Sequence, residues 1–351
     1  MKTKMNCCKM GMLLRLAAIA ALCMAPPVRA GMPYATASNR LQLIADINYA
    51  NTVGGAITIN LATGDSFYLK TPHHSRDGAP GLPVIGRKKA VHLTIIGNGA
   101  TIERIARYTR YYFVKNAFHL FEVAPGSSLT LDQVTLKGGW SAILNRGTLH
   151  VINGSILSDN TGSSGGGIYN AGGTVTVNDS TISDNGATSS GGGIYNAGGT
   201  VTVNNSTLSG GALYYGGGIY NDASGTVTLN NSTLSGSSAR YGGGIYNSGG
   251  SVTVSSSTLS GNTADHYDYP WLGGDGGAIY NDGGTVAITD SSLFSNQATG
   301  VGGGIYNDPN GTVTVENFSS ITDYSVDNLG VLYQDGTSTI SFLGGNPAIL
   351  R

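Results

Sequence analysis

Short runs in which every second residue is apolar recur along most of the chain. In Thr174-Val175-Thr176-Val177 the alternation puts the valines on one face of a strand and the threonines on the other. A second run, Ser180-Thr181-Ile182-Ser183, follows a turn, and a turn-rich stretch then leads into a Gly-Gly-Gly-Ile-Tyr-Asn block. That block begins at Gly165, Gly191, Gly216, Gly242 and Gly302, with Gly-Gly-Ala-Ile-Tyr-Asn at Gly276, so the spacings are 26, 25, 26, 34 and 26 residues. Looser copies lie upstream, over Val91 to Ile102, Phe118 to Leu131 and Ser141 to Val151, and downstream from Val331 to Ile340.

Strands this short are not stable alone. Stacking the coils in register pairs each backbone group with the coil above and below at roughly 4.8 Å and joins the inward Val, Ile and Leu into one core. The pattern predicts an all-β chain: a right-handed parallel β-helix (solenoid) of about eleven coils, a rod on the order of 50 Å long. The period is too long for hexapeptide helices, lacks the helical halves of leucine-rich or ankyrin repeats, and is too short for four-stranded propeller blades.

An open rod end exposes strand edges and needs a cover. Leu41, Ile44, Ile47 and Asn48 fall at near-helical spacing, with Ser38 or Asn39 able to cap the start, and predict an amino-terminal capping helix over Asn39 to Asn51. Ahead of it, Lys2, Lys4 and Lys9, an apolar stretch from Leu16 to Ala25 and Val28-Arg29-Ala30 read as a cleaved secretory signal. The apolar stretch is about ten residues, half the roughly twenty that a membrane span needs. The expected layout is a signal over 1–30, a cap over 31–55 and the β-helix over 56–351, most regular over 165–320, with a loop insertion at 264–275. This is the layout of an exported bacterial protein, extracellular, on the outer surface or periplasmic, without a transmembrane anchor.

Composition sharpens this picture. All three cysteines, Cys7, Cys8 and Cys23, leave with the signal, so neither a disulfide nor a thiolate metal site is expected. Past residue 30 twenty acidic residues face fourteen basic ones, and nine of the latter lie between Lys70 and Lys115. One end is basic and the repeat body acidic; for an exported chain, nucleic acid is not an expected partner.

Repetition discounts the most visible residues as chemistry. Tyr169, Tyr195, Tyr220, Tyr246, Tyr280, Tyr306 and Tyr333 are expected to stack as one ladder, and Asn170, Asn196, Asn221, Asn247, Asn281 and Asn307 as a hydrogen-bonded one. The triple glycines read as a side-chain-free corner. The outward pairs Thr174/Thr176, Thr200/Thr202, Thr226/Thr228 and Thr312/Thr314 resemble the arrays of ice-binding solenoids, although β-propensity on a solvent face explains them equally; Ser251 and Ala287 interrupt the rows.

Residues that break the repeat are the candidates for function. Just before the glycines, successive coils carry Ser163-Ser164, Ser189-Ser190, Tyr214-Tyr215 and Arg240-Tyr241, then an insertion with Asp265-His266-Tyr267-Asp268-Tyr269-Pro270-Trp271 that ends in Asp275, then Val301. Stacking would gather Tyr214, Tyr215, Arg240, Tyr241, Asp265, His266, Tyr267, Asp268, Tyr269 and Trp271 into one patch able to stack sugar rings and fix hydroxyls or uronate carboxylates. In a lyase, Arg240 would neutralise a uronate while His266 or a tyrosine abstracts the adjacent proton; Asp265, Asp268 and Asp275 are candidate calcium ligands, no other cofactor being expected. A second patch, basic and aromatic, comprises Arg104, Arg107, Tyr108, Arg110, Tyr111, Tyr112, Phe113 and Lys115, with His73, His74, Arg87, Lys88 and Lys89 nearby in sequence.

The Gly-Gly-Ala/Gly-Ile-Tyr-Asn coils resemble those of bacterial right-handed β-helix proteins of the pectin-lyase-like superfamily, and polymorphic outer-membrane proteins carry a related block. Leu43, Ile47, Ala50 and Asn51, then Gly81-Leu82-Pro83, Thr94 to Ile102 and Phe121-Glu122-Val123, resemble the CSLREAI-type start of many such proteins, with Leu41-Gln42 where that group has Cys-Ser. The resemblance implies fold and export and is weak for activity. The pectate-lyase signatures Trp-Ile-Asp-His and Arg-X-Pro-X-X-Arg are missing, as is the Gly-His-Gly of polygalacturonases. The expected function is therefore adhesin-like, binding polysaccharide or a cell-surface glycan along one edge of the rod; a polysaccharide lyase or hydrolase is the alternative and an ice-binding solenoid a minor one.

Overall fold

Alternating apolar residues that cannot bury themselves locally are buried here by the coils above and below. The computed structural model describes residues 36–73, 80–105, 117–265, 273–317, 319–325, 332–334, 339–343 and 348–349. Within them the chain winds as a parallel β-helix with three faces. A valine face of 11 strands runs from Gly55–Asn60 to Thr339–Leu343, a leucine face of 14 strands starts at Ser66–Leu69, and a tyrosine face of 9 strands runs from Phe121–Val123 to Leu332–Gln334. Neighbouring strands pair in parallel and like faces like, as in Val175↔Val201↔Val227 and Tyr169↔Tyr195↔Tyr220. The secretory signal expected over 1–30 lies outside the described residues, and no described helix is long and apolar enough to cross a membrane.

Inward Val, Leu and Ile from all three faces, such as Val175, Ile182 and Ile168, are fully buried in one continuous core. The glycine block turns the corner between the leucine and tyrosine faces. Gly216 sits at φ +60, where a Cβ is strained, and a Cβ on Gly217 would lie 2.4 Å from the carbonyl oxygens of Gly243 and Ser238. At that second position successive coils approach too closely for a side chain, whereas the third position of the block at Gly276 holds the buried Ala278.

The expected asparagine ladder is continuous and buried. Each Nδ2 donates to the Oδ1 of the next coil, from Asn145 to Asn170, Asn196, Asn221, Asn247, Asn281 and Asn307, at 2.7–2.9 Å. An amide both donates and accepts, so identical side chains propagate the chain of bonds.

Two features depart from the sequence reading. The stretch before each glycine block, expected to be turns, pairs as strand: Thr181–Ser190 runs through it unbroken, and Ser238–Ala239 and Thr263–Ala264 occupy the same level. Asn160, Asn185, Asn262 and Asn296 point inward there, with Asn160 Nδ2 donating to Asn185 Oδ1 at 3.0 Å and Asn262 Nδ2 to Asn296 Oδ1 at 2.8 Å. A buried serine column, also unforeseen, lines the corner after the valine face. The backbone N–H groups of Ser180, Ser206, Ser232, Ser257 and Ser291 donate to the Oγ of the next serine at 3.0–3.2 Å.

The cap helix spans Arg40–Val53, and Asn39 Oδ1 accepts the N–H groups of Leu41 and Gln42. Its buried face is Leu43, Ile47 and Ala50, whereas Leu41, expected on that face, is 72% exposed. Spacings of four and three residues bring Leu43, Ile47 and Ala50 over the first coil and rotate Leu41 away. Asn51 clips the helix down, its Nδ2 donating to Val84 O at 2.9 Å and its Oδ1 accepting Gly86 N–H at 2.8 Å.

Replacing Asn221 by Ala strands the amide of Asn196 and the carbonyl oxygen of Asn247 inside the rod. It is expected to cost about 1–3 kcal/mol of stability, against less than about 0.5 kcal/mol for Thr226→Ser on the exposed face, measured by denaturant unfolding. Equal effects would show that the ladder is not a stabilising element.

Candidate functional site

Beside the glycine corner runs a column defined by single backbone bridges, Ser190↔Tyr215↔Tyr241↔Asp275, and Ser164 pairs with Ser190 at its start. Two coils thus place small hydroxyls where the next two place tyrosines and the next an aspartate. Val301 continues the column, since Gly276 N–H donates to its carbonyl and its own N–H donates to Asp275 Oδ1 at 2.8 Å.

The block tyrosines form the expected ladder, with centroid separations of 4.4–5.5 Å from Tyr169 to Tyr333. Such contacts are worth about 0.5–1.5 kcal/mol per pair beyond burial. They also occupy the ring faces with one another, leaving edges and hydroxyls to the outside. The sugar-stacking role of aromatic faces is therefore not available along the ladder itself.

The ledge is different. Tyr215 meets Tyr246 edge-on at 4.9 Å, Tyr241 meets Tyr280 edge-on at 5.5 Å, and Tyr215 and Tyr241 stack at 5.8 Å. Tyr214 leans on Tyr215 at 6.2 Å and remains 46% exposed, next to exposed Leu213. The Arg240 guanidinium lies over the Tyr241 ring, 4.8 Å from its centre, and its Nε is buried without a hydrogen-bond acceptor. One half-exposed aromatic ring and one planar cation therefore lie on a rigid two-ring base.

Burial sets the electrostatics. It pushes the Tyr241 phenol up, an effect tempered by Arg240, and raises Tyr220, Tyr246 and Tyr280 as well, with Tyr195 reaching about 12. These phenols stay neutral in physiological conditions. They can donate hydrogen bonds, as Tyr246 does to Asp282 Oδ2 at 2.8 Å, but none is a base for proton abstraction. Burial likewise raises the Asp275 carboxyl, opposed by the Val301 N–H and by Arg240.

Of the residues singled out in the sequence, Tyr214, Tyr215, Arg240, Tyr241 and Asp275 come together. Asp265 Oδ1 instead accepts from Thr299 Oγ1 at 3.3 Å. His266, Tyr267, Asp268, Tyr269 and Trp271 lie outside the described residues, and with them the candidate general base and one calcium ligand. Among the described residues no three or more carboxylate, imidazole or thiol groups cluster to hold a metal ion. A Gly-x-Ser-x-Gly string, Gly162 to Gly166, escaped the sequence reading. Its Ser164 ends one strand and is followed by another, without the helix that a nucleophile elbow requires.

In the second patch Arg104 is structural. It is buried, its Nε donates to Gly138 O, and its guanidinium lies 5.5 Å from the centre of the Phe118 ring. Lys89 Nζ donates to Thr52 O, while Arg87 and Lys88 are exposed on the same turn. His74, Arg107, Tyr108, Arg110, Tyr111, Tyr112, Phe113 and Lys115 lie outside the described residues.

A carboxyl raised in the folded state binds its proton more tightly than in the unfolded chain, so its contribution to stability is present at low pH and lost as pH rises through its folded pKa. Asp275→Asn keeps the acceptor for Val301 and removes this loss. Its melting temperature is expected to exceed that of the parent at pH 7, and the gap to close as pH falls through the carboxylate range. A gap independent of pH would rule out the burial penalty.

Two segments, residues 179–197 and 256–282, match the Chlamydia polymorphic membrane protein repeat. Both begin at a left-handed corner residue, Asp179 and Ser256, with φ of 49 and 48, and both end on the last residue of a tyrosine-face strand, Ala197 and Asp282. The matched unit is thus the leucine-face strand, the glycine corner and the Ile-Tyr-Asn strand, and its second copy carries Asp265 and Asp275. No curated protein and no solved structure matches the chain.

Proposed function

We propose that this chain is an exported β-helix displayed at a bacterial surface, where it holds a cell-surface or polysaccharide glycan, without transforming it, through the ledge formed by Tyr214, Tyr215, Arg240 and Tyr241. The carrying observation is the column itself: in-register tyrosines with an exposed ring and a cation replace the serines of the preceding coils. Similarity to a repeat of polymorphic membrane proteins supports display at a surface, as does the signal read in the first thirty residues. A shallow, rigid aromatic ledge suits an extended sugar chain, which loses little freedom on binding and offers apolar ring faces to Tyr214. The lyase alternative places its base on His266 or a tyrosine, and the burial that raises Tyr220, Tyr241, Tyr246 and Tyr280 works against those four phenols in that role.

The threonine rows favour a second, narrower reading. Thr174, Thr200 and Thr226 are exposed and in register, and the half-buried Thr176, Thr202 and Thr228 are in register beside them, before Ser251 and Ala287 interrupt. Thermal hysteresis in a dilute solution of the protein would support ice binding, and its absence would remove it.

For the glycan reading, the chain is offered a panel of neutral and acidic polysaccharides while binding and ultraviolet absorbance from unsaturated products are recorded. Binding is expected without absorbance growth. Tyr214→Ala is expected to weaken it about tenfold, roughly 1.4 kcal/mol, with an unchanged circular dichroism spectrum. Undiminished binding by that variant would move the site off the ledge, and absorbance growth abolished in Arg240→Ala would replace the binding protein with a lyase.

A further inference from the structure

Charge is distributed along this rod in a way that constrains what the ledge can hold. Between residues 31 and 146 there are twelve basic and six acidic residues; between residues 147 and 350 there are fourteen acidic residues and a single basic one, Arg240. That cation sits on the aromatic column. The ion pairs among the described residues are Lys137 with Asp159 and Arg146 with Glu122, and Arg240 belongs to neither. Its nearest acidic neighbour on the column, Asp275, points an oxygen at the Val301 N–H instead. Stacking on Tyr241 fixes the plane of the guanidinium, and its Nε has no acceptor. A planar, pre-oriented guanidinium without an ion pair among the described residues is suited to a carboxylate, which its two terminal nitrogens can engage through two parallel hydrogen bonds.

The surroundings oppose a second carboxylate. Directly after the Ile-Tyr-Asn strands, Asp222, Ser248, Asp282 and Asp308 follow one another up the rod, set by the register of Asn221, Asn247, Asn281 and Asn307. Tyr246 links ledge and row, meeting Tyr215 edge-on and donating to Asp282 Oδ2, so a polyuronate laid along the rod would run its carboxylates past acidic groups whose field is screened over roughly 8 Å at physiological salt. A neutral sugar chain meets no such penalty, and Tyr214 offers it a ring face.

Building on the glycan-binding reading, we propose that the ledge selects glycans that carry one carboxylate sugar on an otherwise neutral chain, with Arg240 as the specificity-determining residue and the acidic body excluding polyuronates. The test uses the mature chain on a glycan array of matched triplets: neutral oligosaccharides, the same oligosaccharides capped by one uronate, and oligo-uronates of equal length. The capped form is expected to bind about tenfold tighter than the neutral form. In Arg240→Gln that ratio falls to about one, and Arg240→Lys restores only part of it, because a point charge lacks the planar fork. Oligo-uronates rank below the capped form, and added salt narrows that gap as the repulsion of the acidic row is screened. Equal affinity for capped and neutral forms, or tightest binding to oligo-uronates, would overturn the selectivity while leaving a glycan-binding protein. Binding to no member of the array would overturn both readings. A ratio that survives in Arg240→Gln would remove Arg240 from the role.

Discussion

Stacking in register is the constraint from which the rest of this structure follows. A residue at any position lies roughly 4.8 Å from its counterpart in the next coil, so each side chain must tolerate a row of its own kind. Amides satisfy this by donating at one end and accepting at the other, hydroxyls by the same means, phenyl rings by stacking, and β-branched residues by packing. Charges do not, because like charges at that distance repel by about 1 kcal/mol in water and more when partly buried. This accounts for a chain with only 11% charged residues that is nonetheless rich in buried polar groups. It also explains the mixed corners, where Asp179, Asn205, Asn231, Ser256 and Asp290 share a left-handed turn without building an unbroken acidic row.

The same constraint decided what was legible in the sequence. The asparagine and tyrosine ladders, the inward valines and the side-chain-free glycine corner each repeat with the coil, and repetition turns a weak local preference into a firm structural statement. Asn185 and its counterparts repeat as well, yet they read as turn residues, because Asn favours turns when nothing pairs with it. In this rod the neighbouring coil supplies the partner, so they are buried instead. The cap helix occurs once, and no second copy helps to choose between the faces led by Leu41 and Leu43. Its burial is settled by the first coil beneath it, which periodicity within the helix does not reveal.

The ledge was legible as a break in the repeat, because Tyr214-Tyr215 and Arg240-Tyr241 stand where the two preceding coils carry serine pairs. The ring geometry was not. An aromatic residue in a ladder position and one in the ledge have the same composition signal, but the first spends both faces on its neighbours while Tyr214 keeps one. Likewise Arg104 and Arg240 both lie against an aromatic ring. Arg104 is buried against Gly138 O and braces the early coils, and Arg240 is half-exposed beside Tyr215 and Tyr241 of the column. Which cation serves the scaffold depends on what surrounds it across coils more than twenty residues apart in sequence.

The insertion shows why function can accumulate at this edge without cost to the fold. Its two ends keep the contacts that an uninterrupted coil makes: Ala264 pairs with Ala239 and Ala298, and Asp275 with Tyr241. Asp265 N–H donates to Ala239 O and Asp275 N–H to Arg240 O, so the chain leaves and rejoins the helix against the same coil. Gly274 lets the returning strand close, since a Cβ there would fall 2.6 Å from Arg240 O and Asp265 N. Register, and with it every ladder, is restored within that coil despite the spacing of 34 residues. A change in coil length is thereby accommodated next to the ledge, whose rings and cation the scaffold holds in place, and the stacking of the coils on either side is kept.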